Sequence, residues 1–257
     1  MMFLFQSDTE AYYGHQKNAR DLVRKAMESD RLNDMKETAA LVQVSGALRE
    51  AEFSNFQKAL RDSAEALAAA GTRDVKILAA LAQARAGDSN RAQKLADELQ
   101  ERFPLDTLIN HYWLPSIRAT MELNRKNPAK ALELLEPSLS YELGSPSTWF
   151  EGGAPMYPAY ARGRAFLLLG QGVQAAFEFQ KFRDHRGITE NSYLGALAYL
   201  GLARAYALEA SAAQGAESKG DLAKARAAYQ DFFALWKDAD PDIPILKQAK
   251  AEYAKLK

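Results

Sequence analysis

Two arginines in this chain share a local context. Arg164 and Arg204 each follow a small residue, Gly163 and Ala203, and each has a bulky residue four positions earlier, Tyr160 and Leu200. Residues four apart lie on one face of a helix. A guanidinium offers a planar fork of donors that suits a carboxylate or a phosphate. An arginine beside an aromatic ring is therefore a candidate site for an acidic group. A plainer reading stays open, in which both arginines are solvated or pair with glutamates of adjacent helices.

Other residue types offer less. The histidines, His15, His111 and His185, share no helical spacing, so no metal-binding pair of the HExxH kind exists and no metal site is expected. Asp184-His185-Arg186 resembles an acid–base cluster, but it sits where a helix should end, and basic residues there favour the helix dipole. Gly170-Gln171-Gly172 lacks the strand and third glycine of a nucleotide loop and reads as a turn. Ser145-Pro146-Ser147 carries no nucleophile motif. The chain has no cysteine, which excludes disulfides, thiolate metal sites and thiol catalysis. No catalytic residue and no cofactor are expected.

The elements that position the arginines follow from a repeat. Ala19, Ala59, Ala92, Ala131, Ala175 and Ala225 each lie five residues after a turn position: Gly14, Ser54, Gly87, Lys126, Gly170 and Gly220. Four residues on are Val23, Ser63, Ala96, Leu135, Phe179 and Tyr229. Seven on are Ala26, Ala66, Leu99, Ser138, Phe182 and Phe232. The steps between alanines are 40, 33, 39, 44 and 50 residues. A period of this size means stacked supersecondary units. The spacing predicts an all-α, right-handed α-solenoid of about six helix pairs plus a C-terminal capping helix. The units fall at 1–30, 33–70, 73–104, 107–140, 156–186 and 192–238, with the capping helix at 243–256.

Turn chemistry marks the joints. Ala86-Gly87-Asp88 and Lys219-Gly220-Asp221 read as helix–helix turns, where glycine ends one helix and aspartate caps the next. Asn127-Pro128 opens a helix with proline in its first turn. Two stretches break the rhythm. The segment 140–156 is rich in Gly, Pro and Ser and too long for a simple connector. Within it, Trp149-Phe150 reads either as a partner anchor or as part of the core. The segment 210–219 reads as an insertion that lengthens two helices or their loop.

Composition narrows the function classes. Hydrophobic residues make up 47% of the 257 residues, ample for a folded core. Lys+Arg and Asp+Glu both total 33 and are interleaved, so nothing points to a nucleic-acid footprint. No window approaches the roughly 20 apolar residues of a membrane span. Residues 1–5, MMFLF, lack the basic start and cleavage site of a signal peptide and read as one face of a first helix.

The register resembles the tetratricopeptide repeat. Tyr199, Leu202, Ala203 and Tyr206 match that motif's helix A, and Ala225 with Tyr229 matches helix B. Gly163, Phe166, Ala175 and Phe179 match nearly as well, and Ala92, Ala96, Leu99 and Pro104 match a third helix B. Phe182 and Phe232 depart from it, since the motif has a small residue there, and other helical-pair repeats stay open. Segments such as FQSDTEAYYG, FQKFRDHRGI and GALAYLGLARAYAL are similar to the C-terminal repeat region of a bacterial serine/threonine protein kinase family. The kinase motifs themselves are absent from this chain.

The resemblance implies a non-catalytic protein- or peptide-binding scaffold, the sensory or docking region of a bacterial signalling protein. It would lie in the cytoplasm, or outside it if attached to a membrane-spanning kinase. It places Tyr157, Tyr160, Arg164, Leu200 and Arg204 in a concave groove, with Tyr112 and Trp113 as a stacking surface, facing a protein or peptide with acidic groups. The alternative is a structural self-association module. A first helix with no preceding neighbour would expose Met1, Met2, Phe3, Leu4 and Phe5, and that edge is expected to associate with a second copy.

Overall fold

The computed structural model describes residues 2–144, 154–212 and 215–256, without the side chains of 2 and 215–218. Among the described residues the fold is all-α. Its helices are α1 (Met2–Tyr12), α2 (Gln16–Leu32), α3 (Lys36–Glu52), α4 (Phe56–Ala69), α5 (Arg73–Arg85), α6 (Ser89–Arg102), α7 (Leu114–Asn124) and α8 (Pro128–Leu135). They continue as α9 (Tyr157–Leu168), α10 (Gly172–Asp184), the short α11 (Arg186–Thr189), α12 (Tyr193–Ala212), α13 (Gly215–Leu235) and α14 (Pro244–Ala254). A single π-helical turn, Ile109–Trp113, leads into α7.

Two kinds of helix alternate. The even-numbered helices α2, α4 and α6 are charged on most of their surface and bury one narrow seam. In α4 that seam is Ala59, Ser63 and Ala66; in α6 it is Ala92, Ala96 and Leu99. The helices α3, α5, α7, α9 and α12 are buried almost all round, because each packs against its own hairpin partner and against a neighbouring helix of the same kind. A helix apolar on every side has no solvent face to keep. All six register alanines are fully buried. The absence of side-chain bulk at these positions is what lets the paired helices approach.

The joints repeat in atomic detail. At Gly14, Ser54, Gly87, Lys126 and Gly170 the backbone turns to positive φ. In each case the next N–H reaches back to a carbonyl five residues earlier, as from His15 to Glu10 (2.8 Å), Asn55 to Glu50 (2.8 Å) and Asp88 to Gln83 (2.9 Å). This is the Schellman closure, which satisfies the last carbonyls of a helix. The Asp88 side chain then caps α6 by accepting from Arg91 N at 3.1 Å. Gly220 is different. It lies inside α13, so Lys219-Gly220-Asp221 is not a turn. Residues 210–212 belong to α12 and 215–219 to α13, which reach 20 and 21 residues.

The first helix is not left uncovered. α1 packs on α2 and also on α12, from the far end of the chain. Leu4, Ser7 and Ala11 are buried, although Phe5 stays 38% exposed. Beyond α13, Trp236 Nε1 donates to Tyr12 O (2.9 Å), Asp240 N donates to Gly14 O (3.0 Å), and Lys17 N donates to Asp240 Oδ2 (2.7 Å). Gly14 is required there: a side chain would put its Cβ 2.5 Å from Ala239 Cβ. The far end of the chain thus covers only the last turn of α1; of the apolar edge, Leu4 packs on Ala26 and Val42, while Phe3 is half-buried and Phe5 exposed.

Candidate functional site

The arginine-bearing helices α9 and α12 pack on each other, and Arg85, the last residue of α5, reaches the same cavity. Phe179 of α10 inserts its ring between α9 and α12. A Cβ at Gly163 would lie 2.7 Å from that ring, and one at Gly201 2.6 Å. Glycine is needed at both positions because any side chain would collide with the phenyl group. The inserted ring holds the two helices apart and floors a cavity of about 40 Å³. Arg85, Arg164 and Arg204 line it with Tyr160, Leu200 and Ile245.

Two of these guanidinium groups are already committed. Arg204 Nε and Nη2 both lie 2.9 Å from the Glu252 carboxylate of α14, which also accepts from Tyr229 Oη at 2.9 Å. Arg85 Nε donates to Glu52 Oε2 at 3.0 Å, and Tyr157 Oη donates to Glu52 Oε1 at 2.7 Å. Glu52 itself is fully buried. Burial is the largest single influence on Arg85 and lowers its pKa, but the charge and hydrogen bond of Glu52 together with Tyr160 and Tyr157 outweigh it and hold the group above the ordinary arginine range.

Arg164 is the exception. It makes no ion pair with a described residue, and its Nη1 is sealed from solvent without a hydrogen-bond partner. Burial, reinforced by the neighbouring Arg85 charge, pushes its pKa below the usual arginine value, against the pull of Glu52. Its near neighbour Arg162 makes the contrast. Arg162 is more deeply buried and also keeps two sealed nitrogens, Nε and Nη1, without partners, but with Lys181 it faces two carboxylates, Glu142 and Glu178, in a charge-balanced cluster. Tyr160 is pushed up to about 12 by burial first and by Glu52 second.

The residues singled out in the sequence divide into two groups. Tyr160, Arg164, Leu200 and Arg204 surround one cavity. Tyr157 stands behind it, bonded to Glu52. Tyr112 and Trp113 do not line it, and the stacking surface expected of them is corrected. They are 0% and 4% exposed and belong to the core. Tyr112 Oη donates to Ala154 O (2.8 Å) and accepts from Tyr157 N (3.1 Å), tying the start of α9 to the turn before α7. The arginines are not an equivalent free pair either, since Glu252 occupies Arg204. Trp149 and Phe150 lie outside the described residues.

The sequence reading missed Arg85, Glu52 and Glu252. Arg85 was within reach: the position matching Arg164 in its unit is Leu81, eleven before Ala92, and Arg85 lies one helical turn further on the same face. The two glutamates come from units far away in sequence and carry no local signal.

The remaining polar candidates have structural partners. His15 Nδ1 lies 2.8 Å from Glu10 Oε2, and His111 stacks on Tyr141. Asp184 accepts from Gln180 and Arg186 donates to Tyr199 Oη, so the Asp184-His185-Arg186 side chains do not converge. Among the described residues no group of His, Asp and Glu is arranged to hold a metal ion, and no helix is long and apolar enough to cross a membrane. No protein-family model matches the chain, and neither do curated proteins or solved structures.

Proposed function

We propose that the chain is a non-catalytic binding scaffold built from tetratricopeptide-like helix pairs wound into a right-handed solenoid. It takes a protein or peptide at the cavity between α5, α9 and α12, as the docking region of a bacterial signalling protein related to the serine/threonine kinase family. One observation carries the reading. A seam of a small residue followed by partners four and seven positions on recurs in all six units, and its alanines are all fully buried. Arrays of this construction present a continuous inner surface for partners. The similarity of segments such as GALAYLGLARAYAL to the kinase-linked repeats supports the signalling context.

Selection from a displayed random-peptide library tests it, comparing the wild type with Leu167→Trp. Leu167 is a partly exposed residue at the cavity, and a tryptophan there narrows the entrance without changing charge. Peptides that bind the wild type and lose about tenfold or more on the variant are expected. A library that yields no binder, or only binders indifferent to Leu167→Trp, overturns the proposal.

A further inference from the structure

We propose that the cavity between α5, α9 and α12 is a receptor for a single carboxylate group, with Arg164 as its primary contact; this rests on the reading of that cavity as the binding site. The inference starts from charge. Three guanidinium groups line the cavity and two carboxylates, Glu52 and Glu252, are spent on Arg85 and Arg204. The five groups sum to one positive charge, and it resides on Arg164. Arg164 as a whole is half-buried, but a donor nitrogen sealed from water without a partner costs free energy unless something supplies the missing acceptor. The sealed, unpartnered Nη1 of Arg164 is where that acceptor is lacking.

Size and lining narrow the chemistry. A volume of about 40 Å³ admits one small planar group or a few waters. The remaining wall is apolar, formed by Phe179, Leu197 and Ile245, which suits the carbon attached to a carboxylate better than the fourth oxygen of a phosphate. The net charge of one also matches a monoanion. Arg204 remains 28% exposed at the cavity, so a group can enter from solvent. A chain terminus, an acidic side chain and a free organic acid share this chemistry.

The test compares sodium acetate, sodium chloride and sodium sulfate at equal ionic strength on the wild type, Arg164→Gln and Glu252→Gln. Acetate is expected to raise the melting temperature of the wild type above the chloride control, and Arg164→Gln is expected to abolish that gain. Glu252→Gln, which adds one net positive charge to the cavity, is expected to shift the preference toward sulfate. An acetate effect equal in wild type and Arg164→Gln overturns the proposal, and so does an Arg164-dependent preference of the wild type for sulfate. If Arg164→Gln does not fold, the Arg164 side-chain resonance of the wild type, titrated with acetate, decides: a shift supports the site and its absence overturns it.

Pools of hexapeptides with free-acid or amidated C-termini then name the source. A loss of about tenfold on amidation, the worth of one charge-assisted hydrogen bond, identifies a chain terminus. Equal binding of amidated peptides rich in Asp and Glu identifies a side chain, and acetate binding without either identifies a free acid. Peptides that bind at the Leu167 entrance regardless of carboxylate and of Arg164 overturn this inference and leave the scaffold reading standing. An Arg164-dependent acetate effect with no peptide binder does the reverse.

Discussion

The seams of α4 and α6 and those of α10 and α13 are built to the same register with different material. In the first two the positions after the alanine are Ser63 and Ala66, then Ala96 and Leu99. In the last two they are Phe179 and Phe182, then Tyr229 and Phe232. Small seams let the paired helices close on each other directly. Aromatic seams need room on the facing helix, which Gly163 and Gly201 supply for Phe179. Packing a large ring against glycine leaves gaps that two alanines would not. The cavity with its unpaired arginine lies in the aromatic half. The difference shows how a repeat makes a site without changing its register: it exchanges small contacts for one large, imperfectly filled one.

Removing the ring should have the largest effect. Phe179→Ala is expected to cost about 3–5 kcal/mol, as for other buried aromatics, measured by chemical denaturation. Adding Gly201→Ala to that variant should recover part of the loss, whereas Gly201→Ala alone should destabilise through collision with the ring. Strict additivity of the two changes would break the comparison. Overpacking the seams comes next. Ala175→Leu and Ala59→Leu should each cost about 1–3 kcal/mol, with the smaller loss at Ala175, whose helix already borders the cavity through Phe179.

The third effect is a gain. Arg164→Gln, measured without ligand, should raise stability by about 1 kcal/mol by removing a charge that has no partner. A loss of stability instead would mean that the cavity is electrostatically satisfied.

The two halves meet at α1, and a pH profile probes that junction. Asp8 faces Arg49 Nη1 at 2.9 Å, and burial, only partly offset by Arg49, pushes its pKa from 3.8 to about 6. The folded chain therefore holds a proton that the unfolded chain releases. This contribution to stability is fully present below 3.8 and is lost as pH rises through about 6. The melting temperature is expected to be higher near about pH 5 than near about pH 7. Glu50, held below its ordinary value although burial opposes this, because Arg20 bonds to it, acts in the opposite sense only at lower pH. Asp8→Asn should flatten the profile between those two points. The smallest change is Lys126→Gly. Lys126 sits at φ 62, a left-handed conformation that costs a side-chain-bearing residue about 1 kcal/mol, and glycine should recover about that much.

The helices and their joints were legible because their causes are local. Positive φ occurs at five of the six turn positions read from spacing, and the failure at Gly220 is instructive. A Gly-Asp pair can close a helix, yet neighbouring residues with strong helix preference carried α13 straight through it. Half of the site was legible for the same reason: Arg164 and Arg204 stand at matching register positions. What spacing could not supply was long-range pairing. Glu52 reaches Arg85 across 33 residues and Tyr157 across 105, and Glu252 reaches Arg204 across 48. Nor could it distinguish a buried aromatic from a presented one, so Tyr112 and Trp113 looked like surface.

The bonds between Trp236 and Tyr12 and between Asp240 and Gly14 change how such a molecule comes apart. A linear stack of repeats can shed its outermost pair at the cost of one interface, so it frays by degrees. Here α1 is held on one side by α2 and on the other by α12 and the residues after α13. Peeling α1, or the residues that follow α13, breaks contacts belonging to the other. Damage at one terminus is felt at the opposite one, and loosening begins nowhere in particular. Loss of the molecule's order is then a single event shared by all its units.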